Sequence, residues 1–424
     1  MKEMIENEIK PRRAFLIGVS DDSIDKQEAE SLAKELAGLA ETLGVEIAGQ
    51  ETVRIREKHP RYGMGTGKAE EIAAESGELD VDCLIFDQDL TPSQQRNWEK
   101  LCGIPVVDRR EVIIQIFAGR AKTREAELQV DLAELKYSLP RLSHKYIDLS
   151  RQRGGRYGTK GSGETRLETD RRLVQQRIHK LETELKEVRK HRAVQRKKRE
   201  KIPIPACALV GYTNAGKSSL LNAMTSAGVF VEDKLFATLD PTTRRLEIGS
   251  GRPVLLTDTV GFIRRLPHDL VDAFRSTLEE VSLASILVHV LDASDPDLDR
   301  YYETTMAVLR DLNAGETPMI VALNKTDRVE SRDDLEGLAK RYPGSVMISA
   351  KNRTGLDELA LRMDELLSRA VDCFRFPADR YDLPALIHRS GTVFSEKYEE
   401  NYIEVTARVD ETVREKLREY IVTP

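Results

Sequence analysis

The densest chemical signal in the chain is Gly211-Tyr212-Thr213-Asn214-Ala215-Gly216-Lys217-Ser218, which follows the apolar run 207–210 and has the spacing GxxxxGK[ST]. Glycines at such positions let the backbone curl until successive N–H groups face phosphate oxygens, and a helix starting at the lysine adds its positive N-terminus. Lys217 is expected to reach the β and γ phosphates of a nucleotide, and Ser218 to ligate Mg²⁺. Three more segments follow in order, each closing an apolar run that reads as a strand. Asp258-Thr259-Val260-Gly261 offers a carboxylate for a metal-bound water and a glycine N–H for a γ phosphate. In Asn324-Lys325-Thr326-Asp327, the last carboxylate suits the N1–H and exocyclic amine of guanine, donors that adenine does not present in that arrangement. A buried acceptor left unpaired by the wrong base costs about 1–3 kcal/mol or more, so the site is expected to select guanine. Ser349-Ala350-Lys351 would cover the guanine O6 with backbone N–H groups. Ligands of open α/β sheets bind at such strand ends. Four segments in this order are not explained as unrelated surface turns.

Between the first and second of these lies Leu235-Phe236-Ala237-Thr238-Leu239-Asp240-Pro241-Thr242-Thr243. A threonine here would complete the Mg²⁺ shell only when a γ phosphate is present, which makes the segment a candidate switch. Spacing does not choose among Thr238, Thr242 and Thr243. After Gly261 comes Phe262, where signalling GTPases carry a glutamine that orients the attacking water. A phenyl ring can neither donate nor accept for that purpose. Isolated turnover is therefore expected to be slow, and to rise when a partner orders the segment 261–269.

These groups need rigid elements behind them, and 424 residues allow two to four domains. With 40% apolar and 33% charged residues the chain is too hydrophobic for disorder and too charged for a membrane-embedded protein. No apolar run approaches the roughly 20 residues of a spanning helix, and residues 1–13 lack a secretory h-region, so a cytosolic protein with no membrane span is expected. The four cysteines are far apart and form no CxxC pair, which argues against a disulfide framework or a zinc knuckle.

The pattern predicts a multidomain α/β chain. Over residues 1–120, strands at 15–19, 45–48, 83–86 and 104–107 alternate with helices at 27–43, 69–74, 94–101 and 110–117, as in a domain with a mainly parallel sheet. Residues 121–201 carry two apolar stripes, Leu128, Leu132, Leu135, Leu139 and Val174, Ile178, Leu181, Leu185, Val188, spaced by threes and fours as in paired helices. They predict a long helical hairpin. Pro203 and Pro205 end that pattern. Residues 202–370 hold the phosphate-loop domain with a mainly parallel sheet, and 371–424 a small C-terminal α+β domain, with an alternating stretch at 402–409 and a short amphipathic helix at 413–420.

The formal charge of −6 hides an asymmetry: residues 151–201 hold 18 Lys and Arg against 7 Asp and Glu, a local +11 that leaves −17 elsewhere. Between the stripes, residues 151–163 contain five glycines and four basic side chains, Arg151, Arg153, Arg156 and Lys160, with Tyr157 among them. A solvated helix face would account for much of the charge. Five glycines with four cations exceed what closing a hairpin requires, and a polyanion held by phosphate contacts fits better.

With these residues in view the chain resembles the translational GTPases, and among them the HflX family of ribosome-associated GTPases in the Obg-like group. Gly65-Thr-Gly67-Lys68-Ala-Glu-Glu-Ile72, Leu90-Thr-Pro-Ser-Gln-Gln-Arg-Asn97, Asp108-Arg-Arg with Ile116-Phe-Ala-Gly-Arg-Ala, Leu128-Gln-Val-Asp-Leu-Ala-Glu-Leu-Lys-Tyr137 and Gly163-Glu-Thr-Arg-Leu-Glu-Thr-Asp-Arg-Arg172 are similar to that family's signatures. The likeness runs from about residue 14 to 370; Ser162 and Arg166 stand where Pro and Gln would be expected. It implies binding to the large ribosomal subunit with the hairpin tip directed at the peptidyl transferase region, and GTP-dependent splitting or rescue of stalled ribosomes under stress. It also selects Thr238 as the second Mg²⁺ ligand. Relatives that use potassium instead of a catalytic side chain carry asparagine where Asn214 stands, which makes Asn214 a candidate K⁺ ligand; capping of the loop is the plainer alternative. Arg151, Arg153, Arg156, Tyr157 and Lys160 are then expected to contact folded ribosomal RNA by phosphate, shape and stacking. A monomer is expected off the ribosome.

Two weaker signals are set aside. Gly63-Met-Gly65-Thr-Gly67-Lys68 departs from the phosphate-loop spacing, with Ala69 in place of a hydroxyl residue, and reads as a structural turn capping the helix, with an RNA or nucleotide contact as the alternative. His268, near the candidate switch, has no evident partner in the sequence. The rival function is a GTP-dependent factor for RNA modification or ribosome assembly. A plain interaction protein with a degenerate site is disfavoured by the intact Lys217, Ser218, Asp258 and Asp327.

Overall fold

A computed structural model describes residues 12–22, 24, 26–142, 162–199, 204–225, 235–248, 252–265, 278, 280–369, 372–409 and 411–422. The chain forms two compact units, one from Met1–Val188 with Glu232–Leu239 and Arg265–Arg275, the other from Arg189–Val231, Asp240–Arg264 and Ser276–Pro424. Each is an α/β structure, and the second also carries an antiparallel sheet.

In the first unit, β1 (Arg13–Ser20), β2 (Glu46–Arg54), β3 (Cys83–Phe86) and β4 (Val106–Asp108) form a parallel sheet in the order β2-β1-β3-β4. β1 and β3 lie in the middle, so Ala14, Phe15, Leu16 and Ile17 and all of Cys83–Phe86 are buried, as uninterrupted apolar runs require. The helices are α1 (Lys26–Thr42), α2 (Thr66–Glu78), α3 (Pro92–Cys102) and α4 (Arg109–Arg120). α3 starts with a capping box between Thr91 and Gln94, and its Trp98 is buried against Tyr62 and Phe86 while its indole N–H donates to the Tyr62 carbonyl at 2.9 Å. Lys68, in the first turn of α2, ion-pairs with Glu51 and, at 3.0 Å, with Glu71.

The two stripes pack together in part: Val174 and Ile178 stay half-buried and outside the packed cluster. α5 (Arg124–Ser138) and α6 (Ser162–Arg199) bury Leu128 against Leu181 and Leu185, with Leu132, Leu135 and Val188 alongside. Leu139 leaves the helix in a 3₁₀ turn, Leu139–Arg141, because Pro140 follows it. The base is anchored through the buried Asp108, which caps α4 at Glu111 N (3.0 Å) and accepts from Tyr137 Oη (3.1 Å) and Arg141 Nη2 (3.2 Å). The Gly-rich stretch between the helices, with Arg151, Arg153, Arg156, Tyr157 and Lys160, lies outside the described residues.

In the second unit, β5 (Ala206–Val210), β6 (Thr242–Ile248), β7 (Arg252–Asp258), β8 (Ile286–Asp292), β9 (Met319–Asn324) and β10 (Val346–Met347) form a six-stranded sheet in the order β10-β9-β8-β5-β7-β6. Only β6 runs antiparallel. The chain leaves β5 to build one side and returns at β8 to build the other, so the crevice beyond the end of β5 is the topological switch point. Of the flanking helices, α7 (Lys217–Thr225) and α8 (Leu298–Asp311) bear on the site; α9 (Arg332–Arg341) and α10 (Leu356–Arg369) complete the fold.

The last stretch is β11 (Asp372–Pro377), α11 (Asp382–Ser390), β12 (Gly391–Tyr398), β13 (Tyr402–Val409), α12 (Glu411–Lys416) and β14 (Ile421–Val422), with the antiparallel order β12-β13-β11-β14 of a split βαβ fold. The helix expected over 413–420 is broken into α12 and a 3₁₀ turn, Arg418–Tyr420.

Arg109, buried in the first unit, ion-pairs with the buried carboxylates Glu35 and, at 2.8 Å, Asp87. Arg109→Leu leaves both inside without that counter-charge and is expected to cost about 3–5 kcal/mol in urea unfolding of this unit. Arg124→Ala removes exposed pairs with Glu184 and Glu127 and should cost less than about 1 kcal/mol. Equal losses would show that the buried pair has no special weight.

Candidate active site

The phosphate loop leaves β5 through Gly211 and enters α7 at Lys217. Gly211 has φ +144° and Gly216 φ +95°; a Cβ on the first would collide with the Val290 carbonyl of β8, and one on the second with the Asn324 carboxamide. Only glycine allows both the torsion and the approach. Asn214, exposed at the crest, also takes the left-handed conformation, with φ +58°. Thr213 and Ala215 are buried beneath it.

The Lys217 ammonium is buried and donates to the carbonyls of Gly211 (3.1 Å) and Tyr212 (2.7 Å). Burial pushes it down to about 8, with the Asp258 carboxylate acting in the opposite direction. Ser218 Oγ donates to Asp258 Oδ2 at 2.6 Å, joining the first motif to the end of β7. Thr259 is fully buried and donates to the Leu209 carbonyl at 2.6 Å, and Val260 is buried as well. At Gly261 a Cβ would lie 2.7 Å from Thr213 Cα and 2.9 Å from Lys217 Nζ, so a side chain there would force the segment off the phosphate loop. Phe262 forms a parallel bridge with that loop: its carbonyl accepts from Thr213 N at 2.8 Å and its N–H donates to Gly211 O at 3.1 Å. Its ring is buried, so the segment offers backbone groups at this position and no polar side chain.

At the other end Asn324, buried at the tip of β9, donates through Nδ2 to the Ala215 carbonyl (2.9 Å) and accepts at Oδ1 from Ala350 N (3.0 Å). One carboxamide thus holds the phosphate loop and the Ser349-Ala350-Lys351 segment together. Lys325 has φ +61° and ion-pairs with Asp292 at 2.8 Å, and Thr326 Oγ1 donates to the Ile348 carbonyl at 3.0 Å. Ser349 Oγ donates to Asp327 Oδ1 at 2.5 Å, and that hydroxyl, aided by the charge of Lys351, holds the carboxyl below the usual carboxylate range.

Gly211 to Ser218, Asp258 to Phe262, Asn324 to Asp327 and Ser349 to Lys351 therefore converge at the C-terminal ends of one sheet. Asp240 lies in this unit too, whereas Phe236, Ala237, Thr238 and Leu239 belong to the first, where Phe236 (φ +55°) meets Phe117 edge-on at 4.6 Å. For a hard divalent cation, the Ser218 hydroxyl beside a buried carboxylate is a suitable oxygen donor set, with one direct ligand and one acceptor for a coordinated water. Sequence reasoning missed Asp292, the partner of Lys325, although it ends the apolar run of β8 as the other acids end theirs. It also missed His289 behind the loop, which is stacked on Tyr302 and held neutral by burial and by Lys217, pushed down to about 3.

Residues 30–118 match the family model described as GTP-binding GTPase N-terminal, 120–199 the GTP-binding GTPase Middle Region, and 206–325 the 50S ribosome-binding GTPase. The chain is 46% identical over 413 residues to GTPase HflX of Akkermansia muciniphila, covering 94% of each chain. It is 40% identical over 383 residues to GTPase HflX of Escherichia coli (strain K12), covering 90% of this chain and 88% of that one. A solved structure of a GTP-binding protein from the hyperthermophilic archaeon Sulfolobus solfataricus in complex with GDP is 26% identical, with a TM-score of 0.44 over 84% of this chain and 99% of that one. Because the identity extends through the N-terminal and middle regions as well as the phosphate loop, the chain belongs to the HflX family of GTPases.

Proposed function

We propose that this GTPase is a nucleotide-controlled switch that binds the large ribosomal subunit and splits or rescues stalled ribosomes under stress, working in the cytoplasm as a monomer until it meets the ribosome. The observation that carries the nucleotide half is the junction made by Asn324, which ties a phosphate loop to a base-recognition loop across one strand end. Backbone N–H groups from Gly211 to Ser218 receive the phosphates, with Lys217 as their counter-charge. Asp327 takes the guanine N1–H and amine, and Ala350 with Lys351 covers its O6. The four-part domain division at residues 120, 201 and 370 belongs to the same reading.

Ser218 would hold Mg²⁺, with Thr238 as the second ligand the family resemblance implies and Asp258 as acceptor for a coordinated water; such a cation would supply neutralisation of phosphate charge. Gly261 presents its N–H to the γ phosphate, and the segment 236–240 follows it as the switch that triphosphate orders. Phe262 cannot orient water, so intrinsic hydrolysis is slow and the ribosome accelerates it. Asn214 would hold a potassium ion, which would supply further neutralisation of phosphate charge.

The ribosomal half is supported by membership in this family, by the description of the model that matches 206–325, and by the +11 charge of residues 151–201. Arg151, Arg153, Arg156, Tyr157 and Lys160 bind ribosomal RNA. No helix among the described residues is long and apolar enough to cross a membrane.

Asp327→Asn turns an acceptor pair into an acceptor and a donor. It should weaken GTP binding about 100-fold while improving binding of xanthosine triphosphate, whose carbonyl replaces the guanine amine. Parallel loss of both nucleotides in a fluorescence titration would go against base recognition by Asp327. Replacing sodium by potassium should raise the intrinsic hydrolysis rate, and Asn214→Ala should remove the difference; equal rates in the two salts exclude the ion. With a nonhydrolysable GTP analogue the protein should co-sediment with mature large subunits, and deletion of 154–163 should spare GTP binding yet abolish splitting. Preference for immature particles would favour the assembly reading. Splitting that survives the deletion would remove the tip's role.

A further inference from the structure

The second residue of the phosphate loop, Tyr212, is free to vary in the GxxxxGK[ST] spacing, yet the structure gives its side chain specific partners. It is buried, and its ring lies flat on Tyr301 of α8, with centroids 3.9 Å apart and planes 15° from parallel. Its hydroxyl oxygen accepts the backbone N–H of Arg264 at 2.8 Å. The Arg264 guanidinium in turn stands 5.6 Å from the centre of the Tyr301 ring. Burial pushes the Tyr301 phenol up to about 12.

Phe262 O, Phe262 N and Arg264 N are thus all tied to three consecutive residues of the phosphate loop, Gly211, Tyr212 and Thr213. The two Phe262 bonds use backbone that any sequence provides. The third depends on a phenol, with the ring's length and the Tyr301 surface setting where that oxygen stands.

We infer that Tyr212, seated on Tyr301, is a positioning residue for GTP hydrolysis, holding the segment from Gly261 to Arg264 in register with the phosphate loop. The physical need comes from Phe262. Where a side chain orients the nucleophile, small backbone shifts are absorbed by its torsions. Here the segment acts through backbone groups, whose placement is only as good as the segment's own. Misplacement by about 1 Å costs on the order of 100-fold in rate. The phenol supplies a restraint on the far side of Phe262 that the bridge at Gly211 and Thr213 does not.

This inference rests on the proposed nucleotide site. Tyr212→Phe keeps the stacked ring and removes the acceptor. Single-turnover GTP hydrolysis should fall about tenfold, while the affinity for a fluorescent GDP and the thermal midpoint stay within about twofold and about 2 °C of the parent protein. Tyr301→Leu should lower the rate similarly and Tyr301→Phe should recover most of it, because the platform needs a ring and not a hydroxyl. The double variant Tyr212→Phe with Tyr301→Leu should be no slower than about twofold below the slower single one, since both act on one contact. The idea is overturned if Tyr212→Phe hydrolyses GTP at the parent rate, or if its affinity for GDP falls in proportion to its rate, which would make Tyr212 a shaper of the binding loop. Failure of the parent protein to bind GTP would instead remove the nucleotide site itself, a different result.

Discussion

A single buried carboxamide, that of Asn324, joins the parts of this site that lie farthest apart in the sequence. It spends its donor on Ala215, 109 residues back, and its acceptor on Ala350, 26 residues on. Both partners are backbone groups at loop crests, where ladder bonds end and the main chain needs other company. An aspartate could accept but not donate; an alanine would leave two buried backbone groups unpaired. The geometry of both loops, and of Gly216 pressed against the same side chain, depends on this contact.

Charge is handled by burial at one end of the crevice and by hydrogen bonding at the other. Lys217 is enclosed among carbonyl dipoles near Asp258, and burial pushes it down to about 8. His289 answers the same environment by remaining neutral behind the loop. Asp327, exposed, has its carboxyl held below the usual carboxylate range chiefly by the Ser349 hydroxyl. The phosphate end is therefore built to gain from an incoming anion, and the base end to accept hydrogen bonds. The two ends need different chemistry because the phosphates carry charge and the base edge does not.

The first unit is built in part from residues that the chain supplies much later. Leu235 packs against Gly38, Phe236 against Phe117, and Arg265 pairs with Asp87 at 2.8 Å, the same carboxylate that holds Arg109. These residues flank, in sequence, the motifs of the other unit. Folding has assigned neighbours along the chain to different cores.

The motifs are legible in the amino-acid sequence because the chemistry of phosphate and guanine recognition dictates residue types at fixed spacings: glycines where torsions turn positive, lysine and serine at a helix start, acids at strand ends. The parallel sheets and the paired stripes of Leu128, Leu181 and Leu185 are legible for a similar reason, since burial on one or both faces imprints a period on the sequence. β11 and β12 are less so, because in Asp372–Pro377 the alternation of buried Phe374 and Phe376 about exposed Arg375 is very short, Gly391–Tyr398 mixes charged, aromatic and small residues, and both strands pair with β13. Nor can spacing reveal that Tyr212 meets Arg264 and Tyr301, that Lys325 takes Asp292, or that Phe236 joins a different unit from Asp240. Those are contacts across tens of residues or more, and a one-dimensional pattern records what each residue can do locally while the tertiary fold alone selects its partner.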